Sequence, residues 1–131
     1  MQRNMTEYVL GVDIGGTNTK FGLVDKEGNI EFEGSFPTEA DTDVHNFLDN
    51  LEKHLGDFAS DERVIGAGVG APNANFYNGT IEYSPNIRWG EKVEFAKYFK
   101  EKFNMALCLT NDANAAAMGE MLFGAARGMK N

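Results

Sequence analysis

The sequence predicts one α/β domain built on a mixed sheet with flanking helices, and three observations carry that prediction. The β-branched and apolar residues between Tyr8 and Ile14 form a dense run with few polar breaks, the pattern of a strand covered on both faces. Two further strand-like runs follow through short turns, as in an antiparallel meander. The later apolar runs are each preceded by a stretch with helical spacing, which is how a chain returns to a sheet in the parallel sense. Size and composition agree: 131 residues suit one domain, and 42% hydrophobic with 24% charged residues suit a packed core better than a disordered, fibrous or membrane-spanning chain.

The elements are justified in order. Tyr8–Ile14 is the first strand, and a Gly-rich turn follows it. Phe21 to Val24 is the second strand. The segment Asp25-Lys-Glu-Gly28 has hairpin-turn chemistry, and Asn29 to Phe36 alternates like a third strand. Val44, Phe47, Leu48, Leu51, Leu55 and Phe58 then recur at three- and four-residue spacing, predicting an amphipathic helix with Thr42 or Asp41 as N-cap and Gly56 as its stop. Val64 to Gly70 is a short strand, after which the segment from Asn75 to Tyr83 reads as a hairpin turning at Asn78-Gly79. Beyond Trp89 a second helix puts Phe95, Phe99 and Phe103 on one stripe. A last strand, Ala106 to Thr110, leads into an Ala-rich helix from about Asp112 to Phe123. The predicted order is β-β-β-α-β-α-β-α, with the hairpin inserted before the second helix.

Charge and cysteine content narrow the partners. Twenty acidic against 12 basic residues give a formal charge of −8, which disfavours nucleic acid, because phosphate neutralisation needs clustered Lys and Arg. Residues 26–62 carry eleven of the acidic groups without calcium-loop spacing, so they read as a solvated face. One cysteine excludes an internal disulfide, and Cys108 with His45 and His54 cannot complete a tetrahedral zinc site. Cys108 lies in an apolar run and reads as packing. The N-terminus has no apolar signal region, so the expected location is the cytoplasm, with no membrane partner.

Three motifs can carry chemistry, and ligands of open α/β sheets bind beyond the carboxyl ends of strands, where all three fall. In Asp13-Ile-Gly-Gly-Thr17, the amides of Gly15, Gly16 and Thr17 can form a nest for phosphate, and Asp13 can hold a magnesium ion through water; a plain β-turn is the alternative. It is not a Walker loop, since it leads into a strand rather than a helix. Gly66-Ala-Gly-Val-Gly-Ala-Pro72 formally matches a dinucleotide fingerprint, but Pro72 and a hairpin stand where a helix is required. Its end, Gly70, Ala71, Pro72 and Asn73, can instead form a substrate wall, while core crowding accounts for Gly66 and Gly68 equally well. In the third motif, Asn111 and Asp112 stand at a strand-to-helix junction before Ala115, Ala116, Ala117 and Gly119. Asp112 is the candidate general base and Asn111 a hydroxyl-binding neighbour. Asn86 and Trp89 can meet a sugar through its hydroxyls and apolar face; Trp89 is equally readable as core.

These segments together, in this order, resemble the ROK family of repressors, open reading frames and sugar kinases, within the actin-like ATPase superfamily. The resemblance runs from about Tyr8 to Gly128. It implies a ribonuclease H-like lobe and ATP-dependent phosphorylation of a hexose, typically glucose at its 6-hydroxyl. Asp13, Gly15, Gly16 and Thr17 match the first phosphate loop, with Mg2+ at Asp13, and Asp112 matches the catalytic base. Gly70, Ala71, Pro72, Asn86, Asn111 and Asp112 match sugar contacts, with Asn73 where many members have glycine. It further implies a homo-oligomeric, dimeric full-length protein. Residues 1–131 are expected to be one N-terminal lobe, inactive alone. The second phosphate loop, the adenosine pocket and a structural zinc motif belong to a C-terminal lobe that the sequence lacks. A sugar-responsive repressor is the alternative, disfavoured because the first strand begins near residue 8 and leaves no room for a helix-turn-helix; a free-standing sugar-binding module is the other.

Overall fold

Tyr8–Ile14 forms β1, the central strand, and only Asp13 along it is more than marginally accessible. The computed structural model describes residues 6–39, 42–75, 78–82, 89–90 and 92–110. A strand buried on both sides needs partners on both edges, and β1 has them: β2 (Asn18–Asp25) antiparallel and β4 (Val64–Gly70) parallel. β3 (Ile30–Pro37) extends the meander beyond β2. On the other side β8 (Ala106–Thr110) lies parallel to β4, giving the order β3-β2-β1-β4-β8. The central mixed sheet is therefore as the sequence predicts.

A second, three-stranded sheet comprises β5 (Ala74–Asn75), β6 (Thr80–Glu82) and β7 (Lys92–Val93). The predicted hairpin supplies its first two strands, and its turn brings the Gly79 amide to the Asn75 carbonyl at 2.9 Å. β7 was not foreseen, because two residues are too short to show a period.

Helix α1 spans Val44–Leu55, followed by a 3₁₀ segment at Gly56–Ser60 that holds Phe58. Its N-cap is Asp43, not Thr42 or Asp41. The Asp43 carboxylate accepts from the Asn46 amide at 2.8 Å, whereas the Thr42 hydroxyl donates to the Glu39 carbonyl, and Asp41 lies outside the described residues. Helix α2 spans Phe95–Phe103 and ends on Asn104 in the left-handed region. The predicted helix from Asp112 to Phe123 also lies outside the described residues.

The strand period divides the main sheet into two unlike faces. Leu10, Val12, Phe21, Leu23, Ala67 and Val69 point to one face, where Phe47, Leu48 and Leu51 of α1 and Phe95, Phe99 and Phe103 of α2 pack onto them in a single core. Each of the Val, Leu and Phe side chains among them contributes about 1.5–3 kcal/mol by leaving water. On the opposite face the register sets Gly22, Gly11, Gly68 and Cys108 side by side across four strands. Partial burial raises the Cys108 thiol above its ordinary pKa, in keeping with packing rather than nucleophilic use.

Candidate functional site

The parallel ladders bring the predicted motifs to one edge. Asp13 on β1 is the register partner of Gly70 on β4, and Gly70 is the partner of Thr110 on β8. The Ala71 amide continues the row by donating to the Thr110 carbonyl at 2.9 Å. The carboxyl ends of three strands are thus level, and the Gly-Gly-Thr turn, the Gly70–Asn73 turn and the chain leaving Thr110 all start there. Asn86, Asn111 and Asp112 lie outside the described residues.

The turn after β1 is tighter than the sequence suggests, since β2 begins at Asn18 rather than Phe21. The Gly15 amide donates to the Asn18 carbonyl at 3.0 Å, closing a hairpin. A β-carbon on Gly15 would come within 2.8 Å of that same carbonyl oxygen, so only glycine fits. Of the three amides in the nest read from the sequence, that of Gly15 is engaged in this hairpin, and those of Gly16 and Thr17 are not. Neither of those amides has a hydrogen-bond partner among the described residues.

Two residues that sequence reasoning missed hold this turn from behind. The Thr38 hydroxyl donates to the Gly15 carbonyl at 2.7 Å, and the Thr38 amide donates to the Thr17 carbonyl at 2.8 Å. Thr19 and Thr38 share a bond between hydroxyl oxygens 2.8 Å apart, and both residues are fully buried. A hydroxyl has one proton, so with that of Thr38 on Gly15 the donor in this pair is Thr19. The available signal was a polar residue in a core-facing position, for Thr19 sits in register between Ile14 and Phe36.

Asp13 is half-buried, and its carboxylate makes no hydrogen bond or ion pair with any described residue; Lys20 stands across from it on β2. Among the described residues no three metal-ligating side chains cluster. A magnesium ion here would take the Asp13 carboxylate, water and phosphate oxygens, donors of the kind that this small cation favours. An Asp13 carboxylate without a partner among the described residues, on the strand that leads into the Gly16 and Thr17 amides, suits a metal-bound phosphate.

The Gly70–Asn73 wall is shaped by Asn73, whose φ of 58° is left-handed and suits Asn better than most side chains. The Asn73 carbonyl accepts from the Glu82 amide at 3.1 Å, tying the wall to β6. Glu82 itself, also missed from the sequence, accepts from the Thr80 hydroxyl at 2.6 Å, which lowers its carboxyl below the ordinary value. Trp89 is part of the packing: its ring centroid lies 4.9 Å from that of Phe47 and it stacks with Phe95. His54 stacks on Phe36, and His45 contacts Tyr98.

Comparison with known proteins adds an independent line. The profile of the ROK family matches residues 9–131. A glucokinase of Streptomyces coelicolor is 33% identical over 123 residues, covering 93% of this chain and 38% of the glucokinase. A xylose repressor of Bacillus spizizenii is 28% identical, covering 95% of this chain and 33% of the repressor. Among solved structures, a ROK family glucokinase from Streptomyces griseus in complex with glucose and AMPPNP superposes with a TM-score of 0.69 at 31% identity, covering 92% of this chain and 38% of that one. The chain therefore spans less than two fifths of the length of these relatives. Its residues from the first strand onward follow the family profile throughout, and the chain belongs to the ROK family.

Proposed function

We propose that this chain is the N-terminal lobe of an ATP-dependent hexose kinase, with glucose as the first candidate substrate. The observation that carries the reading is the level row Asp13–Gly70–Thr110, which starts the Gly15–Thr17 and Gly70–Asn73 turns from one edge of the sheet and so supports a shared phosphate and sugar site. Glucokinase similarity at 33% identity supports sugar phosphorylation, and the neighbouring structure that binds glucose and AMPPNP supports both ligands. The strand order also supports the ribonuclease H-like, actin-like lobe.

Phosphoryl transfer needs alignment, charge neutralisation and a group to take the hydroxyl proton. Gly16 and Thr17 amides bind phosphate oxygens, and the Asp13 carboxylate orients magnesium through water. The metal, when bound, draws charge from the transferred phosphoryl group. Gly70, Ala71, Pro72, Asn73, Asn86 and Asn111 bind the sugar. Asp112 accepts the proton of the attacking hydroxyl; it follows Thr110 by two residues, and two residues of chain reach at most about 7 Å. The active protein is proposed to be cytoplasmic and dimeric, and no helix among the described residues is long and apolar enough to cross a membrane.

The test is ATP-dependent phosphorylation of a hexose panel by the complete natural protein. Turnover is expected, with Asp112→Asn lowering kcat by at least about a hundredfold while sugar binding persists. Full activity in that variant removes Asp112 as the base. Residues 1–131 alone are expected to give no turnover. Similarity to xylose repressors favours a second reading, a sugar-responsive repressor lobe, which sugar binding without phosphorylation would support.

A further inference from the structure

We infer that Thr38, backed by Thr19, is a positioning residue that aims the Gly16 amide at a phosphate of the nucleotide, an inference that rests on the kinase reading above. The argument begins with the peptide unit. A trans peptide is planar, with its C=O and the following N–H pointing in opposite directions. The Gly15 carbonyl and the Gly16 amide belong to one such unit. The Thr38 hydroxyl fixes that carbonyl at 2.7 Å, so the Gly16 N–H is directed away from Thr38, toward the open side of the turn. The Thr38 amide fixes the next-but-one peptide through the Thr17 carbonyl at 2.8 Å. One residue thereby sets two of the turn's peptide planes.

The arrangement does more than hairpin closure requires. The β2–β3 ladder ends at Asn18 and Pro37, so Thr38 lies just past it, and its side chain reaches across to the β1–β2 turn. Thr19 gives the Thr38 oxygen a donor, which leaves the Thr38 proton no competing acceptor in this pair and directs it to Gly15. Both threonines are buried, and the bond between their hydroxyls lies out of reach of water, so the Thr38 oxygen keeps Thr19 as its donor. Preset amides bind an anion without reorganising, and this is the gain that the two threonines supply.

The experiment compares Thr38→Val, Thr38→Ser and Thr19→Val in the complete natural protein. Isothermal titration with the non-hydrolysable analogue AMPPNP and with glucose is followed by kinetics with ATP, and thermal unfolding verifies the fold. Thr38→Val keeps the shape but removes the hydroxyl, and should weaken AMPPNP binding roughly tenfold and raise the ATP KM in parallel. Glucose binding should stay within about twofold. Thr38→Ser should restore nucleotide affinity to within about twofold, and Thr19→Val should fall between. Unchanged AMPPNP affinity in a folded Thr38→Val, equal losses for sugar and nucleotide, or no rescue by serine each overturns the inference. If Thr38→Val does not fold, Thr19→Val and Thr38→Ser decide it by the same readouts. Failure of the unsubstituted protein to bind AMPPNP or phosphorylate any hexose sinks the kinase reading instead, and the inference with it.

Discussion

The turn between β2 and β3 is stabilised by its own residues, whereas the turn between β1 and β2 is fixed by residues far along the chain. In the first, the Asp25 carboxylate accepts from the amides of Glu27 and Asn29 and from the Asn29 side chain, while the Asp25 carbonyl accepts from the Gly28 amide. Donors and acceptors meet within five residues. In the second, one internal bond joins Gly15 to Asn18, and among the described residues the further support comes from Thr38. The difference has a physical basis. A turn that uses its amides to hold itself has none left for a ligand, so a turn that is to present amides must be held by its carbonyls instead.

The sharpest way to break this contrast is Gly15→Ala. The added carbon would press on the Asn18 carbonyl at 2.8 Å, and the hairpin must open to relieve it. A loss of about 1–3 kcal/mol in unfolding free energy is expected from the crowding. Nucleotide titration should show binding weakened beyond the Thr38→Val level. A stable Gly15→Ala with normal affinity would show that the turn is not tight.

Gly28→Ala is the matched change in the self-held turn. Gly28 has a φ of 90° with no atom near its missing side chain, so backbone strain is the only cost. About 1 kcal/mol of stability should be lost by denaturant titration. Nucleotide and sugar affinity should not move, and if they do, the two turns are coupled.

The smallest expected effect concerns acid. The Asn29 amide, followed by lesser bonds to its side chain and to Glu27 and Gly28, holds the Asp25 carboxyl below its ordinary value. A depressed folded-state value gives stability that is present above the unfolded pKa, near 4, and lost as pH falls through the folded one. Asp25→Asn should therefore be slightly less stable than the parent at pH 7, with the difference shrinking as pH falls below the unfolded value, because the variant has no carboxylate to protonate. Identical acid profiles would mean that Asp25 is not what orders this turn.

Much of this was legible in the sequence, for reasons that particular residues make plain. β1 and β4 are read to the residue because a strand buried on both faces leaves an unbroken apolar run. The phenylalanine stripe of α2 was found because Phe95, Phe99 and Phe103 recur every four residues. The alignment of Asp13 with Gly70 follows from parallel pairing, which the alternation of helices and strands already implied. What escaped depends on tertiary closure. Thr38 meets Gly15 only once β3 has folded back along β2, and no local pattern announces a hydroxyl that reaches 23 positions back along the chain. In the sequence the Gly15 amide reads as open, because the strand signal begins only at Phe21 and does not reveal Asn18 as its acceptor. Trp89 could be sugar platform or core until Phe47 and Phe95 were placed around it.

The placement of β1 also bears on the order in which the chain acquires structure. Leu10 meets Leu23 across a short hairpin, but meets Ala67 only after β2, β3 and α1 have been strung between them. Closing the longer loop costs more chain entropy and is slower, so the meander, with Thr38 at its end, is expected to assemble before β4 and β8 dock. Pulse-labelled hydrogen exchange during refolding should protect Leu10 and Leu23 amides ahead of Leu109. On that schedule the β1–β2 turn exists before the Gly70–Asn73 turn that starts level with it.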